Sequence, residues 1–205
     1  MTKKRKWLKK LGITFLLVVI CGVLAAGIIV YRQVQQVRKW QPEVEEASKK
    51  YGISEYSEIA LAIIYTESKG NHVDVMQSSE SRYGVRNQIT TTEESIDSGV
   101  EHLAEVIKAA EAKNCDIWTA VQAYNFGTSY IDYVASHGHK ETIDLAKVYS
   151  RDVLAPLLGN HTKETYFYKH PLALLNNRGM LYKNGGNFLY AESVKMNLTF
   201  LKLFS

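Results

Sequence analysis

The chain has 205 residues, with 25 Lys and Arg against 21 Asp and Glu and a formal net charge of +4. Six of the basic residues and no acidic residue lie in residues 1–10, which leaves 19 basic against 21 acidic groups in the other 195 residues, so the body is not a basic nucleic-acid binder. A hydrophobic content of 46% excludes a disordered chain, and the two cysteines, Cys21 and Cys115, exclude a disulfide framework and an all-cysteine zinc site.

The first predicted element is a membrane-spanning helix. Leu11–Val30 contains no charged residue, and at a rise of about 1.5 Å per residue it spans about 30 Å, the hydrocarbon thickness of a bilayer. The basic residues of 1–10 favour the cytoplasmic side, so we expect a cytoplasmic tail over 1–10, a membrane helix over 11–30 and the body outside the cell. A cleaved signal peptide is the alternative, although its apolar region usually has about 7–15 residues.

Residues 31–41 are predicted to be a juxtamembrane linker, and residues 42–205 to form the folded domain. Pro42 can open a helix that ends near Lys50. Cys21 would lie in the membrane, out of reach of Cys115, so we expect two free thiols.

A second helix of the domain is predicted to begin at Ser54, which is a plausible N-cap, and to end before Gly70. Its apolar residues recur at intervals of three and four, as an amphipathic helix requires: Tyr56, Ile59, Ala60, Ile63 and Ile64. Residues 71–90 then show neither helical nor strand periodicity. A segment of this length in a compact domain is usually functional or disordered, and its apolar residues argue against disorder.

The rest of the chain is predicted to be mainly helical. Thr91 and Glu94 form a capping box, and Asp116 can cap the helix that follows. Further helical stretches and one weak hairpin are predicted over Ser129–Ser136, Ile143–Leu158, Lys169–Leu175, Glu192–Phe204, and Gly179–Tyr182 with Gly186–Tyr190. The fold class is therefore all-α or an α-dominated α+β fold.

Glu67 is the acidic residue whose position suggests chemistry. It lies three and four residues after Ile64 and Ile63, so it continues the apolar side of its helix. Partial burial and a place in the last turn, where the helix dipole disfavours negative charge, both raise the pKa of a carboxyl group. A carboxylic acid that stays protonated near neutral pH can act as a general acid, although a surface glutamate paired with Lys69 would fit the periodicity equally well.

Three short motifs, in order along the chain, resemble the lysozyme-like superfamily that includes soluble lytic transglycosylases and goose-type lysozymes. The motifs are Glu67-Ser68, Asp74-Val75-Met76-Gln77 and Ala123-Tyr124-Asn125-Phe126-Gly127. Members of the superfamily carry Gly-Leu where this chain has Asp-Val. That departure, with the continuation Ser78-Ser79-Glu80-Ser81 and the stretches Thr91–Val100, Ala123–Tyr130 and Asn184–Phe188, resembles one branch, the CwlT-like lysozyme domain of bacterial cell-wall hydrolases. The resemblance covers residues 42–200.

The resemblance implies a catalytic role for Glu67 as the acid. It implies that the substrate-binding residues include Ser68, Met76, Gln77, Ser78, Tyr124 and Asn125. The Tyr124 hydroxyl would be held beside the Glu67 carboxyl, and Asn125 would hydrogen-bond the loop backbone. The substrate would be the glycan strands of peptidoglycan, with no cofactor and no metal.

The second carboxylate that glycosidases commonly use is left open by the sequence. Asp74 is the first candidate for a supporting catalytic role, and capping of the loop backbone is its alternative. Glu80 and Asp97 are further candidates. The superfamily also includes members with one essential acid, which either activate water or close the muramic acid 6-hydroxyl onto the anomeric carbon.

The leading hypothesis is thus a membrane-anchored muramidase that cleaves the β-1,4 bond between N-acetylmuramic acid and N-acetylglucosamine. A lytic transglycosylase that forms 1,6-anhydromuramic ends is the first alternative, and a non-catalytic wall-binding module is the second. The pair His137 and His139 could bind a metal, but no Cys or carboxylate cluster accompanies it.

Overall fold

A single long helix opens the chain and runs without a break into the folded domain. The computed structural model describes residues 3–79, 84–85 and 88–204, and in it helix α1 spans Lys3–Arg38. From Lys10 onward this helix is long and apolar enough to cross a membrane, judged by length and composition. Its last turns belong to the domain, because Val34 and Val37 are fully buried in the core. The stretch 31–41, predicted as a linker, therefore also contributes to folding.

Helices dominate the rest of the described chain, so the predicted α-dominated class is confirmed. The elements that follow are α2 (Gln41–Lys50), α3 (Ser57–Glu67), α4 (Thr92–Ala112), α5 (Ile117–Phe126), α6 (Ser129–Ala135), α7 (Ile143–Tyr149), a π-helical turn (Ser150–Leu154), α8 (Ala155–Leu157), β1 (Thr165–Phe167), α9 (Pro171–Asn177), β2 (Met180–Tyr182) and α10 (Tyr190–Leu203).

Helix α3 is the central helix of the domain. Residues 60–64 are fully buried, because α1, α2 and α10 pack around the helix on several sides rather than on one face. The predicted cap at Ser54 is wrong: a 3-10 turn occupies Ser54–Tyr56, and α3 begins only at Ser57, without a side-chain cap. The backbone N–H of Tyr56 donates instead to the carbonyl of the buried Ile53 at 2.8 Å.

The two other predicted helix starts are confirmed. The Thr91 hydroxyl accepts a hydrogen bond from the Glu94 backbone N–H at 3.2 Å, at the start of α4. Asp116 Oδ1 accepts from the Thr119 N–H at 2.9 Å, at the start of α5. Both elements are therefore placed by local chemistry that the sequence makes visible.

The predicted hairpin is wrong in its partner strand. Strand β2 pairs with β1 in antiparallel fashion, with Tyr166 opposite Leu181, so the first strand comes from residues 165–167. The predicted partner, residues 186–190, leads into α10 instead. The reason is a tertiary contact: the N–H of Asn187 is bound by the Asn125 side chain at the end of α5, which directs this segment away from β2.

The burial of the last turns of α1 predicts that two valines of this helix contribute differently to the free energy of unfolding. We expect Val37→Ala, in the core, to lower the free energy of unfolding by about 2 kcal/mol, because the truncation removes two buried methyl groups and leaves a cavity. Val23→Ala, in the exposed apolar segment, is the matched control and should leave the free energy of unfolding nearly unchanged. Chemical denaturation of the full chain in detergent micelles measures both, and equal effects would contradict the packing of α1 described above.

Candidate active site

Glu67 is the last residue of α3, where the central helix reaches the surface. Its side chain is half-buried, and its Oε1 atom accepts a hydrogen bond of 2.6 Å from the hydroxyl of Tyr190. Tyr190 is the first residue of α10 and is itself buried. The carboxyl group therefore lies where α3 meets α10. The two residues that form this hydrogen bond are 123 positions apart in the sequence.

The surroundings of Glu67 favour its neutral form. Its pKa is raised from the ordinary 4.5 to about 7. Burial is the main cause, the hydrogen bond from Tyr190 opposes the rise, and the negative charge of Asp74 adds to it. Near neutral pH the group is consequently divided between its protonated and ionised forms. This is the range in which a carboxylic acid works best as a general acid.

Two tyrosines form the wall behind the carboxyl group. The rings of Tyr124 and Tyr190 are stacked, with centroids 6.2 Å apart and planes 12° apart, and His102 lies on Tyr124 at 5.0 Å. The Tyr124 hydroxyl donates to the carbonyl of Met76 at 3.0 Å. The hydroxyl bonded to Glu67 is thus that of Tyr190, whereas the sequence analysis assigned this place to Tyr124.

Asp74 is the centre of a hydrogen-bond network in the loop after α3. Its carboxylate accepts from the Ser78 N–H at 2.9 Å, the Ser79 N–H at 3.1 Å, and the hydroxyls of Ser79 and Ser95, both at 2.7 Å. Burial would raise the pKa of Asp74, but these hydrogen bonds outweigh it and hold the pKa below its ordinary value. The geometry matches the loop-capping alternative, because the Asp74 carboxylate binds backbone and hydroxyl groups of its own loop and the Ser95 hydroxyl of α4.

Three of the predicted substrate-binding residues build the loop from within. Ser68, Met76 and Ser78 have buried side chains, so these side chains do not present a surface to a ligand. The Ser68 hydroxyl donates to the carbonyl of Val75 at 2.8 Å, and Met76 packs so closely on Gly99 that a Cβ there would lie 2.6 Å from its Sδ. The glycine in α4 is what lets the loop approach the helix.

Gln77 is the exposed member of this loop. Its backbone has a φ of 50°, in the left-handed region, which turns its side chain outward while the neighbours on each side stay buried. The amide Nε2 donates to the carbonyl of Asp74 at 2.9 Å. Of the predicted contacts in the loop, the Gln77 amide is the one open to a ligand.

The Asn125 motif positions α10. Asn125 Oδ1 accepts from the N–H of Asn187 at 2.8 Å, as the sequence analysis expected of a loop-binding side chain. Gln122, fully buried, donates to the Asn187 carbonyl at 2.9 Å and accepts from the Ala191 N–H at 3.0 Å. Together these amides fix the start of α10 and hence Tyr190. Gln122 and Tyr190 were not predicted as site residues from the sequence. The resemblance of residues 184–188 to the family was the one signal that led towards them.

The remaining candidates lie elsewhere. Asp97 accepts from Lys50 Nζ at 2.6 Å and from the Tyr51 hydroxyl at 3.1 Å, so it joins α4 to α2. Glu80 lies outside the described residues. Within the described ranges, no three His, Cys, Asp or Glu side chains are grouped so that they could hold a metal ion. Cys21 and Cys115 are both free, as predicted.

A family model described as Lysozyme-like matches residues 34–198. A relative from Streptococcus pyogenes serotype M3, the pneumococcal vaccine antigen A homolog, is 48% identical over 183 residues, which cover 89% of this chain and 92% of the relative. An uncharacterized membrane protein of Bacillus subtilis, YocA, is 34% identical over 78% of this chain and 68% of its own length.

Two further similarities concern bacterial wall proteins. The bifunctional muramidase/DL-endopeptidase CwlT of Bacillus subtilis is 38% identical over 116 residues, which cover 57% of this chain and 34% of that protein. A crystal structure from Staphylococcus aureus, described as similar to a lipoprotein of the NLP/P60 family, has a TM-score of 0.72 and 37% identity, covering 80% of this chain and 52% of that one. The predicted resemblance is thereby confirmed.

The raised pKa of Glu67 predicts a pH-dependent stability. The folded chain favours the neutral acid, so its stabilising contribution is complete below the unfolded pKa of about 4.5 and is lost as the pH rises through about 7. Glu67→Gln keeps an acceptor for Tyr190 and cannot ionise. We expect it to be about 2 kcal/mol more stable than the parent at pH 8, and about equal at pH 4.

Thermal or chemical unfolding across this pH range measures the difference. Glu101→Gln, at an exposed position of α4, is the matched control and should show no such dependence. A Glu67→Gln effect that is the same at pH 4 and pH 8 would contradict the burial assigned to this carboxyl group.

Proposed function

The chain belongs to the lysozyme-like family, and we propose that it is a membrane-anchored peptidoglycan hydrolase that cleaves the β-1,4 bond between N-acetylmuramic acid and N-acetylglucosamine. The observation that carries the proposal is Glu67, a half-buried carboxyl group that accepts the Tyr190 hydrogen bond and stays partly protonated near neutral pH. Similarity to a bifunctional muramidase/DL-endopeptidase supports peptidoglycan as the substrate class.

Glu67 acts as the general acid in this mechanism. Because the Tyr190 hydroxyl donates to Oε1, the acidic proton is carried by the other oxygen, Oε2. That proton passes to the glycosidic oxygen as the bond to the anomeric carbon breaks, and positive charge develops on the sugar ring. The Tyr190 hydrogen bond strengthens onto the carboxylate that remains, which lowers the free energy of the charged state.

The second step, the attack of water on the sugar, has to proceed without Asp74 as a catalytic base. Its carboxylate is already bound by the loop, so we assign it to positioning the loop and, through its charge, to keeping Glu67 protonated. Glu67, once ionised, then serves as the base that activates water. If the muramic acid 6-hydroxyl takes the place of water, the same single acid gives a 1,6-anhydro end, which is the lytic transglycosylase alternative.

The exposed polar groups beside Glu67 would bind the sugars. The Gln77 amide and the half-buried Tyr124 present the amide and aromatic surfaces that sugar hydroxyls and C–H faces require. Ser68, Met76, Ser78 and Asn125 support these groups from behind.

Membrane anchoring fits this substrate. The N-terminal apolar helix and the similarity to a membrane protein support it. In this proposal residues 1–10 lie in the cytoplasm, residues 11–30 cross the membrane, and residues 31–41 lead into the catalytic domain over 42–205 on the outer side.

Product analysis distinguishes the candidate functions. We expect the full chain to digest purified peptidoglycan into fragments with reducing muramic acid ends, identified by mass spectrometry, and Glu67→Gln to lose at least about 100-fold of the rate, because general-acid catalysis contributes about 10²–10⁴-fold. Products with 1,6-anhydromuramic ends would show that the reaction is lytic transglycosylation and not hydrolysis. Cleavage by Glu67→Gln at the parent rate would refute the mechanism, and binding without cleavage by the parent would identify a wall-binding module.

The Tyr190 hydroxyl sets the alkaline limit of activity. Activity should fall as Glu67 ionises above its pKa of about 7, and Tyr190→Phe removes a donor that lowers this pKa. We expect the alkaline limb of kcat/KM to move upward by up to about 1 pH unit, since one pKa unit corresponds to about 1.4 kcal/mol, the worth of such a bond.

Tyr56→Phe is the control for this experiment, because Tyr56 lies at the opposite end of α3 from Glu67. Its pH profile should match that of the parent. A limb that stays in place in Tyr190→Phe, or moves to lower pH, would exclude the hydrogen bond as the element that tunes the acid.

A further inference from the structure

The way in which α1 enters the domain fixes how far the site stands from the membrane. Building on the proposed function, we infer that Glu67 is held at the outer surface of the lipid headgroup layer, so that the substrate is glycan lying against the membrane, lipid-linked or newly polymerised, rather than wall farther out. Helix α1 is continuous from the apolar segment into the domain, and hydrogen bonds tie α3 and the segment after it to α1.

Positions along helix α1 give heights above the membrane. The helix continues unbroken from the apolar segment to Arg38, and Val30 is the last residue of that segment. The rise of about 1.5 Å per residue converts each later position into a height above the hydrocarbon boundary. A tilt of about 20°, usual for membrane helices, shortens these heights by less than about a tenth.

Two hydrogen bonds place the end of α3 on this scale. The Tyr65 hydroxyl donates to Gln33 Oε1 at 2.7 Å, and Gln36 Nε2 donates to the carbonyl of Gly70 at 3.0 Å. Gln33 and Gln36 lie about 4.5 and 9 Å above Val30 by the helical rise. Glu67 lies between Tyr65 and Gly70 in the chain. The headgroup region is about 5–8 Å deep on each side of a bilayer, so the Gly70 carbonyl, which is bound to Gln36, lies close to its outer limit. Because Glu67 is only three residues before Gly70, we place it at about the same level.

The connection between α1 and the segment after Glu67 is close and permits little movement. Gly70 has a φ of 74°, and a Cβ there would lie 3.1 Å from the carbonyl oxygen of Gln36. Trp40 Nε1 also donates to the Gly70 carbonyl, at 3.3 Å. A residue other than glycine would be strained here in conformation and space, which shows that the backbones themselves are in contact.

Other groups at the level of Val30 suit a membrane surface. Tyr31 packs edge-on against Phe204, with centroids 6.5 Å apart, and Leu203 beside it is 70% exposed. A cavity of about 210 Å³ is lined by Val30 and Gln33 of α1 and by Thr66, the residue before Glu67. Aromatic and apolar side chains at this level are typical of the membrane interface. The bilayer that holds α1 is the occupant we assign to this surface.

The consequence for the substrate is geometric. A site fixed within one headgroup depth of the bilayer meets strands that are still attached to lipid, or that have just left it. Strands in outer layers of the wall would have to bend down to the membrane to reach Glu67.

An insertion that lifts the domain tests this inference. Seven polar helix-forming residues between Val30 and Tyr31 add almost two helical turns, so they raise the domain by about 10 Å and nearly keep its orientation. The full chain is placed in liposomes that contain lipid-linked, uncrosslinked glycan polymer, and soluble glycan strands are offered separately. The same seven residues between Lys10 and Leu11 form the matched control.

We expect the insertion after Val30 to slow cleavage of the lipid-linked polymer by about tenfold or more, because the effective concentration of the site at the membrane falls. Cleavage of soluble strands should be unchanged, and the control insertion should change neither. Equal rates on the lipid-linked polymer before and after the insertion would overturn the inference. If the chain without any insertion cleaves neither the lipid-linked polymer nor the soluble strands, the proposed function is refuted instead.

A depth measurement gives a result that does not need activity. A fluorophore at Asn71→Cys, next to Gly70, in a background with Cys21→Ser and Cys115→Ser, should be quenched by lipids with a nitroxide in the headgroup. The seven-residue insertion after Val30 should abolish that quenching. A fluorophore that is not quenched in the chain without the insertion would overturn the inference, whatever the rates.

Discussion

The placement of one carboxyl group at the end of the buried helix α3 determines most of the other features of this molecule. A glutamate retains its proton near neutral pH only where water is kept away from part of it, yet in the proposed mechanism that proton must still reach a sugar. Helix α3 meets both conditions, because its middle is enclosed by three helices while its last residue reaches the surface. The Tyr190 hydrogen bond then moderates the pKa that burial alone would give.

Two separate polar networks hold the walls of the site, and this explains why so many residues of the family motifs have buried side chains. The carboxylate of Asp74 gathers the loop after α3 and ties it to the first turn of α4. The amides of Gln122 and Asn125 tie the end of α5 to the residues before α10. The first network holds the backbone around Gln77, the residue proposed to bind sugar, and the second places the Tyr190 hydroxyl on Glu67. The motifs thus specify the geometry of the loops more than the contacts with a ligand.

What could be predicted from the sequence was mainly local. The periodicity of α3 placed Glu67 at the edge of the apolar side, and the caps at Thr91 and Asp116 located two helix starts. The Tyr190 hydroxyl could not be found in this way, because its partner lies 123 residues away and no local pattern encodes a contact between two helices. The hairpin prediction was wrong for the same reason: the Asn125 side chain binds the N–H of Asn187, in the segment that strand propensity had predicted as the partner of β2.

The apolar helix has a second role that composition alone does not reveal. Its first part is suited to a bilayer, whereas Val34 and Val37 fill the core beside α3. Since the same rigid helix carries both parts, the contacts that stabilise the domain also set its height. A flexible linker would have let the domain sample the wall at many distances, and a helix whose last turns are buried removes that freedom. In the proposed topology, the basic residues of 1–10, which dominate the net charge, act on the site indirectly. They would fix the side of the membrane on which the domain lies, and α1 would fix the height of the site above that membrane.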